Sequence, residues 1–209
     1  SGLPPYPSHC CLSKNDCIVH GTHLDDLNPL NTGDLISIDI GVKFNNYIGD
    51  AAWTYAINEA SNEDMLLMEA GKKSLEEGIK EMIIGKPLLD WARKVEEIAQ
   101  KEYGFDLIKG FGGHGYGTKL HDPPFISNVI PKFIEEWPEA WKTFQEGMLL
   151  AVEPMLAAKN ADVLSTPNKW PIKTLDGSQS VHYEANILIT SNGPENLTKK
   201  MCNLPDILG

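Results

Sequence analysis

The sequence predicts an α+β domain built on a mainly antiparallel sheet, and three observations carry that prediction. Apolar residues alternate with period two across residues 34–44, the mark of a strand, and Asn45-Asn46 turns it into a second strand over 47–57. Two segments with apolar residues at helical spacing follow. Short strand-like runs then return and continue towards the end of the chain. No solenoid period and no low-complexity linker divides the 209 residues, so one domain, 1–209, is expected.

Taken in order, Pro4, Pro5 and Pro7 keep the first dozen residues irregular. Leu35, Ile36, Ile38, Ile40, Val42 and Phe44 define the first strand of the hairpin. The hairpin puts Asp39 and Asp50 on neighbouring antiparallel strands, where facing Cβ atoms lie roughly 5 Å apart. Ser61, with Asp64 three residues on, resembles a helix N-terminal cap. Leu75, Ile79, Met82 and Ile83 form that helix's buried stripe, and Gly85-Lys86-Pro87 ends it. Trp91, Val95, Ile98 and Ala99 mark a second helix stopped by Gly104. Further strands are expected over 105–109, 148–157, 163–175 and 181–190, with 123–146, including Trp137 and Trp141, as a surface loop or short helix.

Composition narrows the function classes. A hydrophobic fraction of 42% with 22% charged residues is that of a soluble globular protein. No apolar run reaches the length of a membrane span, and Ser1-Gly2-Leu3-Pro4-Pro5 does not read as a signal peptide. A formal charge of -11 argues against non-specific nucleic-acid binding, and two bound divalent cations would cancel part of it. Cys10, Cys11, Cys17 and Cys202 form no C-x-x-C pair and no dense framework, so a reducing, cytoplasmic compartment is expected.

Five residues stand in frames that make little chemical sense without metal. Asp39 lies in Ile-Ser-Ile-Asp-Ile, Asp50 in Tyr-Ile-Gly-Asp and His114 between glycines. Glu153 lies in Ala-Val-Glu-Pro-Met and Glu184 in His-Tyr-Glu-Ala-Asn. An unpaired ionised carboxylate on an apolar strand costs several kcal/mol. Four carboxylates and one imidazole are a ligand set suited to two-metal hydrolysis. Pro154 cannot donate to a sheet ladder, so Glu153 is expected at a sheet rim. Gly110, Gly112 and Gly115 match G-x-G-x-x-G formally, but Pro123-Pro124 arrives before the helix that a dinucleotide site needs. Cys17, His20 and His23 are a weak zinc signal, lacking a fourth ligand nearby. His121 is placed to face the same cleft as His114, where an imidazole can donate to a carbonyl oxygen. His182 has no special context and reads as structural.

Together these segments resemble the type I methionine aminopeptidases, within the pita-bread metallopeptidases. The resemblance runs through residues 15–21, the hairpin 33–50, Gly113-His114-Gly115 to His121, 148–155 and Tyr183-Glu184. It implies a curved, mainly antiparallel sheet backed by helices, with a dinuclear metal site at its centre, in one metallopeptidase catalytic domain, 1–209. Two divalent ions (Co, Mn, Fe or Zn) are implied. Asp39 would be a terminal ligand, Asp50 and Glu184 bridges, and His114 and Glu153 would complete the other metal. A water between the ions would be the nucleophile and Glu153 its proton acceptor. His20 and His121 would contact the scissile amide and its carbonyl. Tyr6, Cys11 and Trp170 would line the methionine pocket, where thioether-aromatic contacts are favourable. Leu120 stands where an aromatic is usual, which would widen that pocket.

The implied activity is removal of the N-terminal methionine from nascent proteins and peptides whose second residue is small. The implied partners are polypeptide N-termini and, through nascent chains, the ribosome; a monomer without membrane or nucleic-acid contact is expected. The family places a helical segment and a first strand ahead of the position of Tyr6, and those are absent from this sequence. Without them, part of the pocket wall and one sheet neighbour would be missing. Rival readings are a proline-specific relative (prolidase or aminopeptidase P) and a non-catalytic binding protein on the same fold. Glu-Pro-Met and the 15–21 stretch favour the methionine enzyme over the first, and the full ligand set over the second.

Overall fold

The long hairpin is the spine of the molecule, whose computed structural model describes residues 3–24 and 26–209. Two short strands precede it, β1 (Cys11–Lys14) and β2 (Cys17–Val19), and its arms are β3 (Leu35–Phe44) and β4 (Tyr47–Ile57). Asn45 and Asn46 both take positive φ, as a two-residue turn between twisted strands requires. Next come helices α1 (Asn62–Lys80) and α2 (Leu89–Glu96), the latter running on into a π-helical turn, Glu97–Glu102. Strands β5 (Asp106–Leu107), β6 (Gly112–Gly115), β7 (Asp122–Ser127), β8 (Leu149–Val152) and β9 (Met155–Ala157) follow. The remainder are β10 (Val163–Ser165), β11 (Ile172–Thr174), β12 (Ser180–His182), β13 (Ala185–Thr190), β14 (Gly193–Asn196) and β15 (Ile207–Leu208).

The strands form ladders ordered β1-β3-β4-β15, β14-β13-β8-β6-β7, β12-β9-β5 and β10-β11-β2. All pairings are antiparallel except β15 on β4. The helices cover one side of this mainly antiparallel structure: Leu67, Met68, Trp91 and Val95 join Trp53, Tyr183 and Ile187 in the main core. The Trp53 and Tyr183 rings meet edge to face at 4.8 Å. Gly78 permits the close approach of the two helices, since a Cβ there would fall 2.6 Å from the Trp91 ring. Ser61 caps α1 as expected, its hydroxyl accepting from the Asp64 amide at 3.1 Å.

Several elements depart from the sequence reading. The irregular start ends at Cys10, because Cys11–Lys14 finds a partner in β3, with Cys11 opposite Asp39. The segment 123–146 begins in β7, an edge strand, where Pro123 and Pro124 need donate no ladder bond. Trp137 is buried and its indole N–H donates to the Phe125 carbonyl at 3.0 Å, whereas Trp141 is exposed. The run 163–175 divides into β10 and β11. Most consequential, 148–157 and 181–190 are each two strands. β8 pairs with β13 and β9 with β12, so a single hairpin is broken in both arms at one level. Pro154 supplies no amide proton there, and the Tyr183 amide donates to the Pro154 carbonyl at 3.3 Å instead. Glu153 lies at an internal seam between two ladders rather than at a rim.

Candidate metal centre

Each acidic residue reaches the seam for a local reason. On the hairpin, Asp39 stands opposite Ala52 and Gly41 opposite Asp50, so the two aspartates are diagonal neighbours on one face. Such diagonal positions lie roughly 7–8 Å apart at the backbone, within reach of a shared cluster. Asp50 is clamped by Asn186: its amide donates to Asn186 Oδ1 at 3.0 Å, and the Asn186 amide donates back to its carbonyl. Glu184, at the break between β12 and β13, donates its backbone N–H to the Ala52 carbonyl at 2.8 Å. Glu153, at the break between β8 and β9, has its carbonyl held by Asn128 Nδ2 at 2.9 Å. His114 lies opposite Ala151 on β8 and sets Nδ1 3.1 Å from the Gly115 carbonyl, which turns Nε2 to the acids. That nitrogen is 3.8 Å from Asp50 Oδ2 and 3.7 Å from Glu153 Oε1.

Burial makes this cluster electrostatically expensive. Asp50, Glu153, Glu184 and His114 are each no more than 9% exposed. Removal from water, reinforced by neighbouring carboxylates and opposed by imidazoles at Asp39 and Glu153, raises Asp39 and holds Glu153 and Glu184 well above the ordinary carboxylate range. Burial raises Asp50 as well and lowers His114. Among the described residues no lysine or arginine pairs with these acids, and Glu184 Oε1 is buried with no hydrogen-bond partner. A bound cation resolves all of this at once, since carboxylate and imidazole donors suit a divalent first-row metal. Two groups of donor atoms lie within 4.8 Å of one another: Asp50, His114 and Glu184, and Glu153, His182 and Glu184. Glu184 is common to both, as a carboxylate between two ions would be.

Above the acids opens a cavity of about 550 Å³ lined by Asp39, Asp50, His114, Glu153 and Glu184, with His20 and His121 on its walls. The His121 ring meets His114 edge-on, centroids 4.4 Å apart. His20 adopts a positive φ and packs edge-on to Trp170; burial, then the nearby His182 and His121, lowers its pKa to about 4. Tyr6 packs edge to face on Trp170 at 5.2 Å and donates to the Gly21 carbonyl at 2.9 Å, so Tyr6, His20 and Trp170 form one aromatic group. Cys11 lies beside Asp39, its thiol pushed up to about 12 by burial and that carboxylate. Tyr6, Cys11, Trp170 and the exposed Leu120 are outside the residues lining this cavity. Cys17 and His23 join no candidate metal group among the described residues.

The sequence reading missed three contributors. His182 is 2% exposed and places Nε2 3.1 Å from Glu153 Oε2. Thr54 fixes the His182 backbone, its Oγ1 bonding both the amide at 3.0 Å and the carbonyl at 2.9 Å. Asn186 holds Asp50. The available signal was alternation: His182, Glu184 and Asn186 are two residues apart, so in extended chain they share a face.

Comparison with known proteins gives the family and the fold. The profile of metallopeptidase family M24 matches residues 1–191. A methionine aminopeptidase of Aquifex aeolicus is 36% identical over 194 residues, spanning 93% of this chain and 73% of the relative. Methionine aminopeptidase 1 of Mycobacterium tuberculosis is 37% identical over 202 residues, spanning 94% and 73%. The crystal structure of methionine aminopeptidase from Thermotoga maritima superposes with a TM-score of 0.82 at 34% identity, covering 90% of this chain and 73% of that one. The prolidase of Pyrococcus furiosus, at 22% identity and TM-score 0.69 over 91% of this chain and 49% of its own, shares the fold. With its pita-bread architecture and a seam of buried acids, the chain belongs to metallopeptidase family M24.

Proposed function

We propose that this chain is a metal-dependent methionyl aminopeptidase, hydrolysing the N-terminal methionine of peptides and nascent proteins whose second residue is small. The observation that carries the reading is the floor of the cavity, where three buried carboxylates, the half-buried Asp39 and His114 converge, and among the described residues no lysine or arginine pairs with them. The methionine aminopeptidases named above, similar over most of the chain, support the substrate assignment. Two divalent ions, held by Asp39, Asp50, His114, Glu153 and Glu184, would activate water and polarise the scissile carbonyl.

The chain's own groups do the rest. Glu153 accepts the proton of the attacking water and passes it to the leaving amine nitrogen. His121 donates to the carbonyl oxygen as negative charge develops there. His20 is neutral above about pH 4 and contacts the amide between the first two residues. The aromatic group of Tyr6 and Trp170 lies next to His20, where the methionine side chain would meet it. A bulky second side chain would press on the His20 wall and shift the carbonyl, and a displacement of about 1 Å can lower the rate roughly a hundredfold.

The test is a peptide panel varied at its first two positions, with Mn²⁺ or Co²⁺ supplied. Met-Ala, Met-Gly and Met-Ser peptides should be cleaved and Met-Leu and Met-Lys scarcely. Leu120 in place of an aromatic should let norleucine compete well with methionine. Efficient cleavage of Met-Lys peptides would remove the steric argument, and preference for X-Pro would make the chain a proline-specific enzyme.

A further inference from the structure

We infer that His182 is a sixth protein ligand of the metal centre, coordinating through Nε2 the ion that Glu153 and Glu184 hold. The inference rests on the metal-site reading above and extends it to a residue outside the five-ligand set. Three observations point there. The imidazole is 2% exposed and lines the same cavity as the acids. Its Nε2 is 3.1 Å from Glu153 Oε2, about the spacing of adjacent donors on one ion with bonds of about 2.1 Å. Glu153, His182 and Glu184 also form a three-donor group, which shares only Glu184 with the group containing His114. The His182 backbone is also held in place, with Thr54 Oγ1 bonding both its amide and its carbonyl and itself 2.8 Å from Ser37 Oγ.

Each of the two donor groups then contains one imidazole, His114 in the first and His182 in the second. Nitrogen donors favour later first-row ions, so the second imidazole moves the preference from Mg²⁺ and Mn²⁺ towards Fe²⁺, Co²⁺ and Zn²⁺.

The experiment uses the full chain, stripped of metal and titrated with Co²⁺, and counts solvent-exchangeable imidazole N–H signals shifted by the paramagnetic ion in proton NMR. Two such signals are expected at saturation. His182→Gln should retain one of them and weaken Co²⁺ binding at one site by about tenfold or more in a chelator competition. His114→Gln should retain the other signal. Binding of Co²⁺ with a single shifted signal in the unmutated protein, or two signals surviving in His182→Gln, overturns the inference while leaving the five-ligand site intact. Failure to bind Co²⁺ at all overturns both. The count in the unmutated chain decides the matter even if His182→Gln does not fold.

Discussion

Asp50 and His121 face the same cavity and are expected to fail differently. Asp50 is buried, clamped by Asn186 and grouped with His114 and Glu184, and in the proposed site its carboxylate would serve both ions. Asp50→Ala should lose bound metal and turnover together, because two cations then face one another with a shared negative charge removed. Metal analysis of the purified variant checks this, and two ions per chain with near-normal turnover would contradict the bridging role. His121 is exposed, packs edge-on to His114 and joins no donor group among the described residues. His121→Ala should keep its metal and lose on the order of a hundredfold in turnover. Metal loss equal to that of Asp50→Ala would make it a ligand instead. At this scale the sequence was informative where a charge stood in an apolar or glycine frame, as for Asp39 and His114. It is silent on Asn186 and marks His182 only as structural, because their neighbours look ordinary and their partners, Asp50 and Glu153, are distant in sequence.

Among elements, the β3–β4 hairpin was legible because its alternation is long and its turn is Asn-Asn. Strands β6 and β7 were not, since glycines and prolines give no period to follow. The breaks at Glu153-Pro154 and Tyr183-Glu184 were read as continuous strands for a similar reason: apolar residues persist on both sides. The glycines of β6 have a steric role that predicts a measurable defect. A Cβ on Gly113 would be driven into the Ala151 carbonyl of the adjoining strand. Gly113→Ala should therefore push β6 off β8, destabilise the fold by about 1–3 kcal/mol in urea unfolding, and carry His114 away from the acids. A variant with unchanged unfolding midpoint and unchanged metal affinity would show that the two strands have slack.

For the whole molecule, burying this many acids makes folding and metal binding one equilibrium. In the metal-free protein Glu153 and Glu184 titrate well above their ordinary 4.5, and Asp39 and Asp50 above 3.8. Stability linked to them is full below those ordinary values and is lost as pH rises through the raised ones. His114 and His182 are lowered from 6.5, so they act oppositely, adding stability as pH rises to that value and nothing beyond it. Between their ordinary values and their raised ones, the acids weaken the metal-free fold as pH rises. Added Mn²⁺ or Co²⁺ binds the deprotonated donors, so its increase in Tm should be larger at about pH 8 than at about pH 6. A scan of Tm with and without metal checks this, and an increase independent of pH would mean that the buried acids are not the ligands.

The measurement that bears most directly on the central claim is release of methionine from a Met-Ala peptide as Co²⁺ or Mn²⁺ is titrated into metal-free protein, with an X-Pro peptide alongside. The expected result is no release without metal, release that saturates as two ions bind per chain, and an X-Pro peptide left intact throughout. Methionine release that persists in the presence of a strong chelator, or saturated metal binding with no release, would contradict the account.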